Sequence, residues 1–222
     1  MSLDVASSVV GILGGTGDQG RGLAFRFAAA GHGVFIGSRS ADRAASVAES
    51  IGHGVVGLDN AGCARAADVV IVAVPWEGHG ELLTGLADDL AGKVVVDCVN
   101  PLGFDQLGAY ALSVPDGSAA EQAARLLPDS TVVGAFHHVS AVLLADETVN
   151  EVDTDVLVLG DDRAATDLVQ ALVDRLPGMR GVYAGRLRNA HQVEALTANL
   201  ISVNRRYKAH AGLRVTDVRL PS

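Results

Sequence analysis

The 222-residue chain is 49% hydrophobic, enough to bury one full core and a small second lobe. A formal charge of -9 excludes a general nucleic-acid binder, which needs a surplus of Lys and Arg. Only Cys63 and Cys98 occur, with no C-x-x-C pair; no apolar run nears the ~18 residues of a membrane span, and Met1 to Ser7 lack a signal peptide's features, so a cytoplasmic, reducing setting is expected.

Short apolar runs alternate with helix-like stretches along most of the chain. Val9 to Leu13 reads as a buried strand and Asp18 to Ala30 as a helix with Leu23, Ala24, Phe27 and Ala28 on one face. Val34 to Ser38 is a second strand, with a helix over Ala41 to Ser50. Val55 to Leu58 is a third, followed by a short helix near Cys63; Val69 to Val74 is a fourth, stopped by Pro75. Lys93 to Asp97, Thr131 to Ala135, Val156 to Leu159 and Arg180 to Ala184 complete the strands. Glu77 to Leu90, Ser118 to Leu127 and Arg163 to Leu176 supply helices between them. Continuous Val/Ile runs indicate strands buried on both faces, so the expected fold is α/β: a Rossmann-type doubly wound, mainly parallel sheet. After Gly185 the pattern becomes one long helix from Leu187 to about His210, with Gly212 as its expected stop. The expected division is a Rossmann-type domain over 1–184 and a small helical C-terminal domain over 185–222.

The loop Gly15-Thr16-Gly17-Asp18-Gln19-Gly20 forms G-x-G-x-x-G directly between a strand and a helix. The first glycine permits a tight turn, the second lets backbone approach a pyrophosphate, and the third allows close helix–strand packing. Helix N-terminal amides then hold the phosphates. An acid usually ends the second strand of an NAD site, where it accepts from the ribose 2′-hydroxyl. Here the strand ends Gly37-Ser38-Arg39-Ser40, with Arg43 one turn further on and Asp42 as the acid close by. A hydroxyl and two guanidinium groups suit a 2′-phosphate, so the expected dinucleotide is NADP(H).

Other residues invite chemistry less specifically. His137 and His138 are adjacent, without a carboxylate cluster, so no metal set is expected. His191 and Glu194 read as a surface contact, and the Gly-His-Gly triplets around His32, His53 and His79 as turns. Both cysteines read as inert apolar residues. From Arg186 onward the basic residues are Arg186, Arg188, Arg205, Arg206, Lys208, Arg214 and Arg219, against Glu194 and Asp217, leaving -14 on the first 185 residues. This cluster either pairs with acids of the main domain or a partner subunit, or receives an anionic ligand.

The segments Gly11-Ile-Leu-Gly-Gly-Thr-Gly-Asp-Gln-Gly20, Gly37-Ser38-Arg39, Ala73-Val74-Pro75-Trp76-Glu77, Gly134-Ala-Phe-His-His-Val-Ser-Ala141, Gly160-Asp-Asp162 and Asn204-Arg-Arg-Tyr-Lys-Ala-His-Ala-Gly212 resemble, in the same order, the NADPH-dependent coenzyme F420 reductases. The resemblance implies a homodimer that transfers a hydride between NADP(H) and the deazaflavin coenzyme F420. It implies NADP contacts at Thr16, Gly17, Asp18, Gln19, Ser38, Arg39 and Arg43, with Val74 and Pro75 beside the dinucleotide. His137, Val139, Ser140 and Ala141 match the segment that meets the two rings, and the helical part closes the deazaflavin cleft. His138 departs from the pattern, with an expected effect on how the second ring is seated; the loop from Cys98 to Gly117 carries over least. Hydride transfer needs stacking more than an acid–base pair, so no catalytic residue is assigned; solvent, a backbone group or His137 could handle the proton. The residues alone leave open an NADPH-dependent reductase of a flavin, ferric chelate or imine, and a non-catalytic NADP(H)-binding module.

Overall fold

The computed structural model describes residues 5–218; residues 1–4 of the leading segment and Arg219 of the basic cluster lie outside the described residues. The expected alternation is present as β1 (Val10–Leu13), α1 (Asp18–Ala29), β2 (Val34–Ser38), α2 (Ala41–Ile51), β3 (Val56–Asp59), α3 (Asn60–Ala66), β4 (Val69–Val72), α4 (Trp76–Gly85), α5 (Ala87–Leu90) and β5 (Val94–Asp97). A hairpin of β6 (Leu102–Asp105) and β7 (Gly108–Ala111) then intervenes, inside the loop where no element was expected. The chain continues as α6 (Ala119–Leu126), β8 (Thr131–Gly134), α7 (Ala141–Ala145), β9 (Thr154–Gly160), α8 (Arg163–Asp174), β10 (Met179–Gly185) and α9 (Ala190–Tyr207).

The eight-stranded sheet has the order β10-β9-β8-β5-β4-β1-β2-β3. Strands β3 through β8 in that order are parallel; β9 runs antiparallel to β8, and β10 follows β9 in parallel. The central strands β1 and β4 are buried along their whole length, as their unbroken Val/Ile/Leu composition requires. One face carries a core around Leu23, Phe27, Ile36, Val133 and Phe136. The other carries Leu13, Leu83, Leu90, Leu127, Leu187 and Ala190, so the start of the C-terminal helical segment lies inside that core.

Side-chain caps fix where most helices start. Ser40, Asp59, Ser118, Ser140 and Asp162 each accept from a first-turn amide of α2, α3, α6, α7 and α8, worth about 1 kcal/mol apiece. By contrast α1 begins at Gly17 and α4 at Pro75 without a side-chain cap, and both follow central strands. Helix α9 ends at Lys208, whose left-handed φ of 51° closes the last turn, rather than at Gly212. Gly212 instead presses on β9, where a Cβ would lie 2.8 Å from Thr154 Oγ1. Beyond it Leu213 exchanges hydrogen bonds with Thr154 and Asp155, and Arg214 pairs with Asp153 and Asp155.

Helix α7 sits on α1 through close packing and a buried cation. A Cβ on Gly22 would lie 2.5 Å from Leu144 Cβ, so the two helices touch at backbone distance. Arg26, 6% exposed, donates to the carbonyls of Leu143, Leu144, Asp146 and Val149 at 2.6–2.9 Å. The Leu143 and Leu144 carbonyls belong to the last turn of α7, where intrahelical donors run out, and Asp146 and Val149 lie in the turn that follows it. Arg26→Met should therefore lower unfolding free energy by about 2–3 kcal/mol, read from the urea midpoint; an unchanged midpoint would show that the carbonyls find other donors.

Candidate functional site

The exits of β1, β2, β4, β5 and β8 open on the carboxyl edge of the sheet, where ligands bind in open α/β folds. At the β1 exit the left-handed residue is Gly14, at φ +77°, one position before the glycine expected to make the turn. A Cβ there would strike Ala73 O at 2.4 Å, which seats the loop against the end of β4. Gly15 faces Ile36 at 2.5 Å and Gly20 faces Gly14 O at 2.5 Å by the same measure, so both are required by packing. Gly17 differs: a Cβ would meet Gly14 O at an ordinary 3.5 Å, and the residue is exposed. Internal packing therefore gives no reason for glycine at 17. Glycine there leaves the backbone open to the approach of an external group, and the first amides of α1 have no side-chain cap.

At the β2 exit Ser38 Oγ accepts from Ser40 N at 3.4 Å, while Ser40 Oγ caps α2. Arg39 and Arg43 are exposed and form no ion pair among the described residues. Asp59 lies directly across from Ser38 on β3, an acid that chain distance concealed. Its Oδ1 accepts from Gly62 N at 2.6 Å, which commits that oxygen to capping α3.

The segments expected to face the rings converge beside the glycine loop. Val74 touches the loop at Gly14, and Pro75 starts α4; strand β4 itself ends two residues earlier than expected. At the β8 exit Phe136 has a positive φ of 62°, and its carbonyl accepts from Gln19 Nε2 at 3.3 Å. Gln19 thus bridges the glycine loop and the segment that contains His137, Val139, Ser140 and Ala141. Ser140 caps α7, and Ser140 and Ala141 are half-buried whereas Val139 is buried.

His137 is buried with neither ring nitrogen hydrogen-bonded, and burial pushes it down to about 4. The same burial favours its neutral form. His138 is also buried, held to about 4 by burial and by His137, and its Nε2 accepts from Leu157 N at 3.3 Å. It serves the β9 backbone inside the protein.

The basic cluster divides. Arg214 belongs to an ion-pair group with Asp153, Asp155 and Arg180, the last contributing two 2.6 Å bonds to Asp155. Burial raises Asp155, but Arg180, the Val215 amide and Arg214 outweigh it and hold the carboxyl well below its usual range. Arg205, Arg206 and Lys208, at the end of α9, are exposed and have no acidic partner among the described residues.

A buried polar group behind the β5 exit was missed. His79 lies in α4 rather than in a turn, and its Nε2 meets Asp97 Oδ2 at 2.6 Å with both side chains fully buried. Its Nδ1 meets Gln122 Oε1 at 3.0 Å, and Gln122 Nε2 donates to Asp116, so both ring nitrogens donate. Glu194 is buried rather than on the surface: it accepts from the Ala119 and Ala120 amides at 2.9 and 3.1 Å and fastens α9 to the start of α6. The one available signal was Asp97 ending an otherwise apolar strand.

Residues 9–101 match the family described as NADP oxidoreductase, coenzyme F420-dependent. The F420-dependent NADP reductase of Methanothermobacter marburgensis is 39% identical over 222 residues, covering 94% of this chain and 98% of that protein. The chain belongs to the F420-dependent NADP reductases. The family member from Methanocaldococcus jannaschii is 36% identical, covering 95% and 99% respectively. A crystal structure from Arthrobacter sp. fb24, described as a candidate F420-dependent NADP-reductase, has a TM-score of 0.79 at 28% identity, covering 92% of this chain and 96% of its own.

This F420-dependent NADP reductase therefore holds two titrating groups in its interior beside the site. Burial pushes Glu194 up to about 7, against the two amides that favour its charge. His79 is lowered by burial but raised on balance by Asp97 and Gln122. Between the unfolded value of about 4.3 and the folded one, native Glu194 keeps a proton the unfolded chain has released. Stability from this group is thus present at low pH and lost as pH rises, and His79 adds the same sign above about 6.5. His137 and His138, held to about 4, act in the opposite sense below about 6.5, so Glu194 is read by difference: between about pH 5 and 7 the thermal midpoint of Glu194→Gln should rise more, or fall less, than that of the parent protein. An identical pH dependence in Glu194→Gln and the parent protein across this range would contradict the assignment.

Proposed function

We propose that this protein transfers a hydride between NADP(H) and coenzyme F420, with the dinucleotide lying across the β1, β2, β4 and β8 exits. The observation that carries the reading is the Gln19–Phe136 bridge, which joins a glycine loop open to an anion with the His137–Ala141 segment. Near full-length similarity to F420-dependent NADP reductases supports the choice of acceptor.

In this reading Gly15, Thr16, Gly17, Asp18, Gln19 and Gly20 surround the pyrophosphate, and the bare Cα of Gly17 allows the close approach. Ser38, Arg39 and Arg43 hold the 2′-phosphate. Val74, Pro75, Val139, Ser140 and Ala141 form a mostly apolar wall that orients the rings and limits water. The bound nicotinamide and deazaflavin supply the hydride donor and acceptor themselves. A neutral His137 fits a wall residue better than a proton donor, which leaves the proton to solvent or a backbone group. Residues 185–222 close the cleft as a small helical domain, and Arg205, Arg206 and Lys208 attract the anionic tail of the deazaflavin coenzyme. The same reading has the protein work as a cytoplasmic homodimer; no helix among the described residues is long and apolar enough to cross a membrane.

Mixing protein, NADPH and coenzyme should bleach the deazaflavin absorbance. Oxidation of NADPH only with a flavin, ferric chelate or imine would replace the acceptor, and oxidation with none would leave a binding module. Arg39→Asp should weaken NADPH binding on the order of ten- to a hundredfold while sparing NADH; equal losses would overturn the 2′-phosphate assignment. Neutralising Arg205 and Arg206 together should raise the KM for the deazaflavin and spare that for NADPH, and an unchanged KM would refute the landing site.

A further inference from the structure

The main-chain oxygen of His137 accepts two side-chain hydrogen bonds from elements distant in sequence. Asn100 Nδ2 donates at 2.7 Å from the β5 exit, and Thr197 Oγ1 donates at 3.1 Å from the middle of α9. The preceding residue, Phe136, has the positive φ that a bulky side chain rarely adopts unless its surroundings impose it. Its own carbonyl is held by Gln19. Two successive carbonyls at this turn are therefore tied down, by α1 on one side and by β5 and α9 on the other.

Asn100 is itself seated by buried polar groups. Asp97 Oδ1 accepts from Val99 N at 3.0 Å, which shapes the turn that delivers Asn100. Asp97 Oδ2 is occupied by His79, and His79 by Gln122. Neither His79 nor Asp97 is exposed at all, so no surface interaction or solvent contact accounts for the pair. Charged partners in a desolvated interior are costly unless they are paired; here both are, and Asn100 carries the group on to a backbone oxygen of the site through Nδ2, its Oδ1 remaining without a partner.

We propose that Asn100, oriented by Asp97 and His79 and assisted by Thr197, is a positioning residue for hydride transfer. It fixes the main chain from His137 to Ser140, and with it the wall against which the nicotinamide lies. This rests on the reading of His137–Ala141 as the ring-facing segment. Asn100 acts on the reaction through the backbone it holds.

The test uses the full chain with Asn100→Ala and Thr197→Val, each of which removes one donor without emptying the core. NADPH oxidation by the parent protein, measured first, tests the functional reading by itself. Amide hydrogen exchange of residues 138–144 in the ligand-free variants should then speed up on the order of tenfold, because the turn loses a tether. The kcat of Asn100→Ala should fall on the order of ten- to a hundredfold, with KM for NADPH within about twofold, the pattern of misplaced reacting groups. The double variant should lose less than the sum of the singles, since both donors serve one oxygen. Unchanged exchange in Asn100→Ala would overturn the tether. Faster exchange with unchanged kcat would overturn the positioning role. A lowered thermal midpoint with neither effect would reduce Asn100 to a structural residue and overturn the proposal as well.

Discussion

Everything at the site is referred to the contact between Gly20 and Gly14, where a single added methyl would come within 2.5 Å of a carbonyl oxygen. That distance sets how closely α1 approaches the end of β1, and hence where its uncapped amides point. The same helix carries Gln19 to the Phe136 carbonyl, Gly22 to Leu144 and Arg26 to the carbonyls that close α7. A helix normally offers one face to a sheet. Here α1 also leaves its N-terminal amides uncapped beside the glycine loop and braces the segment after β8. The two candidate halves of a dinucleotide site, one for phosphate and one for the ring, are thus spaced by one rigid element.

Local pattern revealed what local physics controls. Unbroken Val/Ile runs located β1, β2, β4, β5 and β8 to within a residue or two, because strands buried on both faces have no polar positions to blur them. The glycine loop and the Ser38–Arg43 stretch were legible for the same reason: backbone freedom and charge are properties of the residues themselves. The hairpin was not. Leu-Gly-Phe-Asp and Gly-Ala-Tyr-Ala are short, exposed on one side and rich in small residues, so neither period nor propensity marks them as strands. The end of α9 was misplaced because a lysine took the left-handed position that glycine usually fills.

The buried polar residues were the hardest to see. Glu194 and His191 looked equivalent on a helix, yet one is buried against α6 and the other is exposed. Only the packing of α9 across α6 distinguishes them, and no window along the chain contains that information. His79 was hidden by flanking glycines that suggest a turn, although α4 runs straight through them. Even the distinction between His137 and His138 is tertiary: neither ring nitrogen of the first has a partner, whereas Nε2 of the second accepts from the β9 amide of Leu157.

The reversed strand β9 gives the C-terminal segment an unusual mechanical character. Its first residues lie beyond the reach of β8, and Leu213 to Val215 run along that stretch in place of a neighbour, clamped by Arg180, Arg214 and Asp155. Helix α9 is therefore pinned at both ends: at Ala190 and Glu194 by the core and α6, and past Lys208 by β9. A beam supported at two points bows; it does not swing. With no free end, α9 can leave the sheet edge only by breaking the Glu194 bonds to α6 or the Arg214–Asp155 clamp on β9.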